Sequence, residues 1–228
     1  MTRPESAVAG QRYGRWVGVV AVLIILTAAI SSAVTKSTGA GGVPPGRRIP
    51  VFAVPLATGN VTGDANIATH PNDGAAGRVP ACSVRGSQIL NVCELYERGP
   101  LVLALFVDAG SCPSVVSEMQ ALAPSFPGVE FAAVAIRGGR RELRALIRRE
   151  RVGIPVGIDS DGVLASLYGV ASCPQITLSY PGGVVQSRAL LGGTSRATLR
   201  ARVQELVTAA RARGWTPAPE QAAADRAG

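Results

Sequence analysis

The residues able to do chemistry in this chain are few: four cysteines, Cys82, Cys93, Cys112 and Cys173, and one histidine, His70. Two of the cysteines immediately precede prolines, as Cys112-Pro113 and Cys173-Pro174, and the other two flank the short segment Ser83 to Val92. Cysteine chemistry needs a thiolate, which a helix N-terminus favours and apolar burial disfavours. Pro113 suits the first position of a helix, where its missing N–H would go unpaired anyway. Cys112 therefore reads as a thiol at a strand-to-helix junction, facing the positive end of a helix dipole, or else as a small buried hydrophobe.

The single histidine excludes much. His70 stands among Gly, Asn, Asp and Pro, a loop composition, so a Cys/His or Ser/His nucleophile system has no imidazole in a pocket. Zinc hydrolases and two-histidine iron sites need more ligands than this chain offers, and no phosphate-binding glycine loop follows a strand. No metal and no cofactor is expected. The net charge is +8, with Lys36 the one lysine among 23 basic residues. Such a balance suits nucleic acid or an anionic membrane, but aromatics make up only 4% and no Cys/His finger spacing occurs, so nucleic acid is not an expected partner.

Several elements must position these thiols. Residues 1–15 form a short tail with Arg3, Arg12 and Arg15 against Glu5. Trp16 to Val34 is a run of 19 residues without a charge. As a helix it spans about 28 Å, close to the hydrocarbon thickness of a bilayer. The basic flank places the N-terminus in the cytoplasm and the rest outside, on a single-pass cell-membrane anchor. A signal peptide cleaved near Ser31-Ser32-Ala33 is the rival reading, and it exports the domain equally. Residues 35–80, rich in Gly, Pro, Asn and Asp, read as a flexible extracytoplasmic linker, in which the apolar piece Ile49 to Leu56 is able to dock on the domain.

From residue 81 to 213 strands and helices alternate. Pro100 to Val107 and Val129 to Ile136 are continuous apolar runs, the pattern of strands buried on both faces. Pro113 to Leu122 and Arg140 to Arg151 carry apolar residues at helical spacing, the latter with six arginines outward as a solvated face. A short strand over Ile154 to Ile158 and a short helix over Gly162 to Tyr168 follow. Ile176 to Tyr180 and Val184 to Leu191 then form a hairpin around Pro181-Gly182-Gly183, and Ser195 to Ala210 is the closing helix. Right-handed crossovers give an α/β domain with a central mixed sheet and helices on both faces. Residues 214–228 read as a disordered tail.

That order, with its punctuation, resembles the thioredoxin-like redoxins, closest to the peroxiredoxin-like branch and the membrane-anchored thiol–disulfide oxidoreductases of bacterial envelopes. Leu101 to Val107 followed by Cys112-Pro113-Ser114-Val115 is similar to the strand, active-site turn and helix of those proteins. Val152 to Gly162 with Leu167 to Val170 is similar to the inserted strand–helix segment. Ala171-Ser172-Cys173-Pro174-Gln175 looks like the cis-proline loop. Two departures stand out: Val115 occupies the place of the second cysteine of the usual Cys-x-x-Cys, and Ser111 that of the aromatic residue before the first.

The resemblance implies a thioredoxin-like fold, a cis bond before Pro174, and Cys173 facing the Cys112 sulfur. It implies catalytic roles for Cys112, Cys173 and Pro174, with Cys112 attacking protein thiols or disulfides and Cys173 as its partner thiol. A one-cysteine peroxidase acting on peroxide through Cys112 is an alternative, although Ala109 stands where the threonine of peroxiredoxins belongs. A redox-inert interaction module is another. Glu118 matches a position often acidic in the redoxins, or merely solvates its helix, and Asp108 reads as an exposed turn residue or an aid to proton transfer. For Cys82 and Cys93 an even cysteine count in an oxidising compartment favours a structural disulfide, although four cysteines allow three pairings.

Overall fold

The structure, a computed structural model, describes residues 41–217. The expected tail at 1–15 and anchor at 16–34 lie outside the described residues, and among the described residues no helix is long and apolar enough to cross a membrane.

Three parallel strands form the centre, β3 (Leu101–Phe106), β4 (Glu130–Ile136) and β5 (Val156–Asp159), the first two apolar on both faces apart from Glu130. Strand β6 (Gln175–Ser179) lies antiparallel to β3, and β7 (Leu190–Leu191) closes the order β5-β4-β3-β6-β7. A separate two-stranded sheet pairs β1 (Ala53–Pro55) with β2 (Ile89–Asn91). The helices are α1 (Val92–Arg98), α2 (Ser114–Leu122), α3 (Arg140–Arg149), α4 (Val163–Leu167) and α5 (Arg196–Ala212).

The period-2 alternation of β3 divides the core in two. Val102, Ala104 and Phe106 face a cluster built from Val116, Met119 and Leu122 of α2, Leu143 and Leu146 of α3, and Leu199, Val203 and Leu206 of α5. Leu101, Leu103 and Leu105 face the other cluster, with Val92 and Leu95 of α1, Leu164 of α4, and Tyr168. Helices therefore cover both faces of a mixed sheet, the expected α/β architecture.

Three expectations are corrected. Residues 41–80 are no free linker: Val43, Ile49, Phe52, Val54, Ala57, Ala65 and Ala68 are buried, and Phe52 stands edge-on to Tyr168 with ring centroids 5.8 Å apart. Its backbone is tied down by Ile49 N–H to Gly183 O (2.8 Å) and Ala57 N–H to Val156 O (2.8 Å). The apolar side chains of this strap fill the sheet face that α1 and α4 leave open, so burial decides its structure where periodicity is absent. Second, the hairpin strand expected over Val184 to Leu191 shrinks to β7 and two isolated bridges, Val184 with Arg48 and Val185 with Ser179. The turn itself forms, with Gly182 at φ 81° and Gly183 at φ 80° and Tyr180 N–H bonded to Val184 O at 2.8 Å. Third, the domain extends past residue 213: Trp215 packs on the first cluster and its N–H reaches Ala210 O at 3.1 Å.

Candidate functional site

Strand β3 ends at Phe106 and hands the chain to a braced turn. Cys112 N–H donates to Ala109 O (3.3 Å), and Ser114 donates to Ser111 O through both its N–H (3.2 Å) and its hydroxyl (2.7 Å). Pro113, at φ −63°, then opens α2. Opposite this turn, the β3–β6 register pairs Leu105 with Gln175, so continuing the ladder by two residues sets Cys173 against Val107. The Val107 N–H donates to Cys173 Sγ at 3.1 Å. The Cys173–Pro174 peptide is cis, and Pro174 O accepts from Gly192 N–H at 2.8 Å.

Cys112 and Cys173, 61 positions apart, are joined as a disulfide with their Cα atoms 5.6 Å apart, inside the window such a bond requires. The turn and the proline loop thus carry one sulfur each. Cys112 is 6% exposed, whereas Cys173 is only partly buried at the edge of the same cluster.

The second disulfide joins Cys82 and Cys93, with Cα atoms 5.4 Å apart. Cys82 lies in a 3₁₀ turn, Ala81–Ser83, and Cys93 in the first turn of α1. Asn91 ties the two together. Its carbonyl oxygen caps the helix by accepting from Cys93 N–H (2.8 Å), and its amide donates to Ala81 O (2.9 Å) and Val84 O (2.8 Å). Asn91 with Glu94 three residues on is a helix-start signal that marks this element in the sequence. Cys93 is fully buried, and burial raises the phenol pKa of the neighbouring Tyr96, whose hydroxyl is 3.9 Å from Cys82 Sγ. Among the described residues no cysteine is free and no group of His, Cys, Asp and Glu could hold a metal ion.

The remaining candidates take ordinary places. Glu118 is paired with Arg196 at 2.7 Å, and Asp108 is exposed. Both line a cleft of about 690 Å³ that also takes in Ser111, Ser117, Glu142 and Glu150, but neither sulfur lines it. His70 is exposed, its Nδ1 2.9 Å from the Thr69 hydroxyl. The arginine helix α3 is a solvated face only in part. Arg144 reaches Ala57 O (3.0 Å), Gly59 O (2.7 Å) and Asn60 Oδ1 (3.0 Å), and Arg140 reaches the carbonyls of Leu56, Gly59 and Val61.

A parallel β3–β4–β5 core, an antiparallel β6 entered through a proline loop, and helices on both faces define a thioredoxin-like fold. No protein-family model matches the sequence, and no curated protein does. Solved structures do share the fold. The thioredoxin domain of a thiol-disulfide oxidoreductase from Bacteroides vulgatus aligns at TM-score 0.52 and 14% identity, over 72% of this chain and 97% of that one. A hypothetical protein of Sinorhizobium meliloti aligns at 0.55 and 16%, over 76% and 89%. Peroxidoxin BcpB of Mycobacterium tuberculosis aligns at 0.50 and 14%, over 74% and 97%. At these identities the likeness is one of fold alone.

Proposed function

We propose that this chain is a thiol–disulfide oxidoreductase whose working group is the Cys112–Cys173 pair, held on the outer side of a membrane by residues 16–34. The observation that carries the reading is the disulfide between the active-site turn and the proline loop. It supplies the second sulfur that Val115 denies to a Cys-x-x-Cys motif, at a place where one of the two is partly exposed. A dithiol partner exchanges with this bond through a mixed disulfide: two electrons and two protons pass to the cysteine pair, and the partner leaves oxidised. The reverse direction reduces a partner disulfide.

The state of the cysteines supports an oxidising compartment. Every described cysteine is in a disulfide, and such bonds persist in oxidising surroundings rather than in a reduced cytosol. The basic flank and apolar run at the N-terminus supply the anchor and its orientation. Pro174 shapes the loop that presents Cys173, and Cys82–Cys93 is structural.

The test equilibrates the full chain with glutathione buffers of graded ratio and maps the thiols by alkylation and mass. Reversible two-electron titration of Cys112 and Cys173 together, with catalysed oxidation of a dithiol peptide, is the expected result. A bond that no dithiol exchanges with overturns the reading, and peroxide consumption without dithiol exchange assigns the chain to peroxidase chemistry instead.

A further inference from the structure

We infer that Cys173, and not Cys112, is the sulfur that meets the partner, Cys112 being the buried one that closes the bond behind it. The inference rests on the exchange reading above and reverses the order that position before a helix suggests.

Three observations carry it. Cys112 is 6% exposed and sits in the cluster formed by Phe106, Val115, Val116 and Met119, while Cys173 is partly exposed. In-line attack on a disulfide needs access to the attacked sulfur, so Cys173 Sγ is the one a bulky polypeptide thiolate reaches. The helix start also gives Cys112 less than its place promises. Pro113 has no N–H, and the next three are already donated: Ser114 N–H to Ser111 O (3.2 Å), Val115 N–H to Cys112 O (3.4 Å) and Val116 N–H to Pro113 O (3.1 Å). Apolar burial works against its thiolate. Cys173, by contrast, accepts the Val107 N–H at 3.1 Å, and a hydrogen bond to the charged form favours that form.

The steps balance. A partner thiolate attacks Cys173 Sγ, the Cys173–Cys112 bond breaks, and its electron pair goes to Cys112 Sγ, which takes a proton. The partner's second thiolate then attacks its own sulfur in the mixed disulfide. Cys173 departs as a thiolate held by the Val107 N–H, and the partner leaves with a disulfide. In reverse, the Cys173 thiolate attacks a partner disulfide and Cys112, losing its proton, resolves the adduct.

The experiment uses the full chain in mild detergent. In the wild type, brief treatment with glutathione, acid quench, alkylation and peptide mapping should find glutathione on Cys173 and an alkylated Cys112; glutathione on Cys112 overturns the assignment. In parallel, the Cys112→Ser and Cys173→Ser variants, checked for native circular dichroism, are reacted with an aromatic disulfide over a pH series. The Cys112→Ser variant should react at least about tenfold faster and titrate at lower pH. Equal rates, or a faster Cys173→Ser variant, sink it. A wild-type bond that exchanges with no thiol fails the functional reading itself, which separates the two failures.

Discussion

Tyr168 donates its hydroxyl hydrogen to the carbonyl of Pro50 at 2.7 Å, across 118 positions of sequence, and so ties the strap of residues 41–57 to the residue that follows α4. The ring is fully buried and stands edge-on to Phe52, and burial drives its phenol far above the ordinary tyrosine pKa, so it stays a donor. Tyr168→Phe keeps the ring and leaves the Pro50 carbonyl without its donor. The expected loss is about 1–3 kcal/mol in urea denaturation, with an unchanged m-value. Limited proteolysis of the native protein should spare residues 41–80; rapid cleavage there would return that stretch to the status of a linker.

The guanidinium groups of α3 hold the next part of the same segment. Arg144 spans Ala57 O, Gly59 O and Asn60 Oδ1, a geometry that its planar fork meets and a single ammonium does not. Arg144→Ala should lower stability by about 1–3 kcal/mol, and Arg144→Lys should recover little of it. Hydrogen exchange localises the effect: amides 56–61 should lose protection while β3 and β4 keep theirs. Unchanged protection at 56–61 would show the contacts to be incidental.

What the sequence disclosed depended on whether burial left a period behind. Strands β3 and β4 were legible because both faces are covered and every position had to be apolar. Of the strap only the apolar piece Ile49 to Leu56 was legible, as able to dock: Val43, Ala57, Ala65 and Ala68 are buried at irregular intervals among Gly, Pro and polar residues, so the rest of its structure is imposed by the surface it covers. Helix α1 escaped notice for want of length, although Asn91 and Glu94 marked its start. In the arginine helix the sequence shows charge but not direction, so Arg140 and Arg144 read as solvated although they reach carbonyls 79 to 87 positions away. The Cys112–Cys173 pair was readable only through the resemblance in the proline loop, since a spacing of 61 residues carries no pairing information of its own.

The Cys82–Cys93 bond closes a loop of 11 positions away from the exchanging pair. Its effect is mostly on the unfolded chain, and the chain-entropy relation gives about 3 kcal/mol for a loop of this size. The double variant Cys82→Ser, Cys93→Ala should lose at least that much, since Cys93 is also fully buried. Below its unfolding transition, the rate at which dithiols reduce Cys112–Cys173 should stay that of the wild type. A changed rate at unchanged fold would mean that the two bonds exchange with each other.

Asp159 ends β5 with its carboxylate buried, accepting Gly162 N–H at 3.1 Å and Leu164 N–H at 3.0 Å. Burial, with the Asp161 carboxyl beside it, pushes its pKa from 3.8 up to about 6 against the pull of those two donors. Below about pH 4 folded and unfolded chains both hold the proton. Between about pH 4 and 6 the folded protein keeps it while the unfolded chain gives it up, so stability falls as pH rises through this window and levels off above it. The size of the fall is on the order of 2–3 kcal/mol. Asp159→Asn removes the titration and leaves one side-chain oxygen to accept from the two backbone N–H groups, so the variant should be less stable than wild type at pH 4 and draw level with it, or overtake it, by pH 7. Chemical denaturation of both proteins across that range provides the difference curve, and a difference that does not change with pH would place the ionisation of Asp159 outside the folding equilibrium.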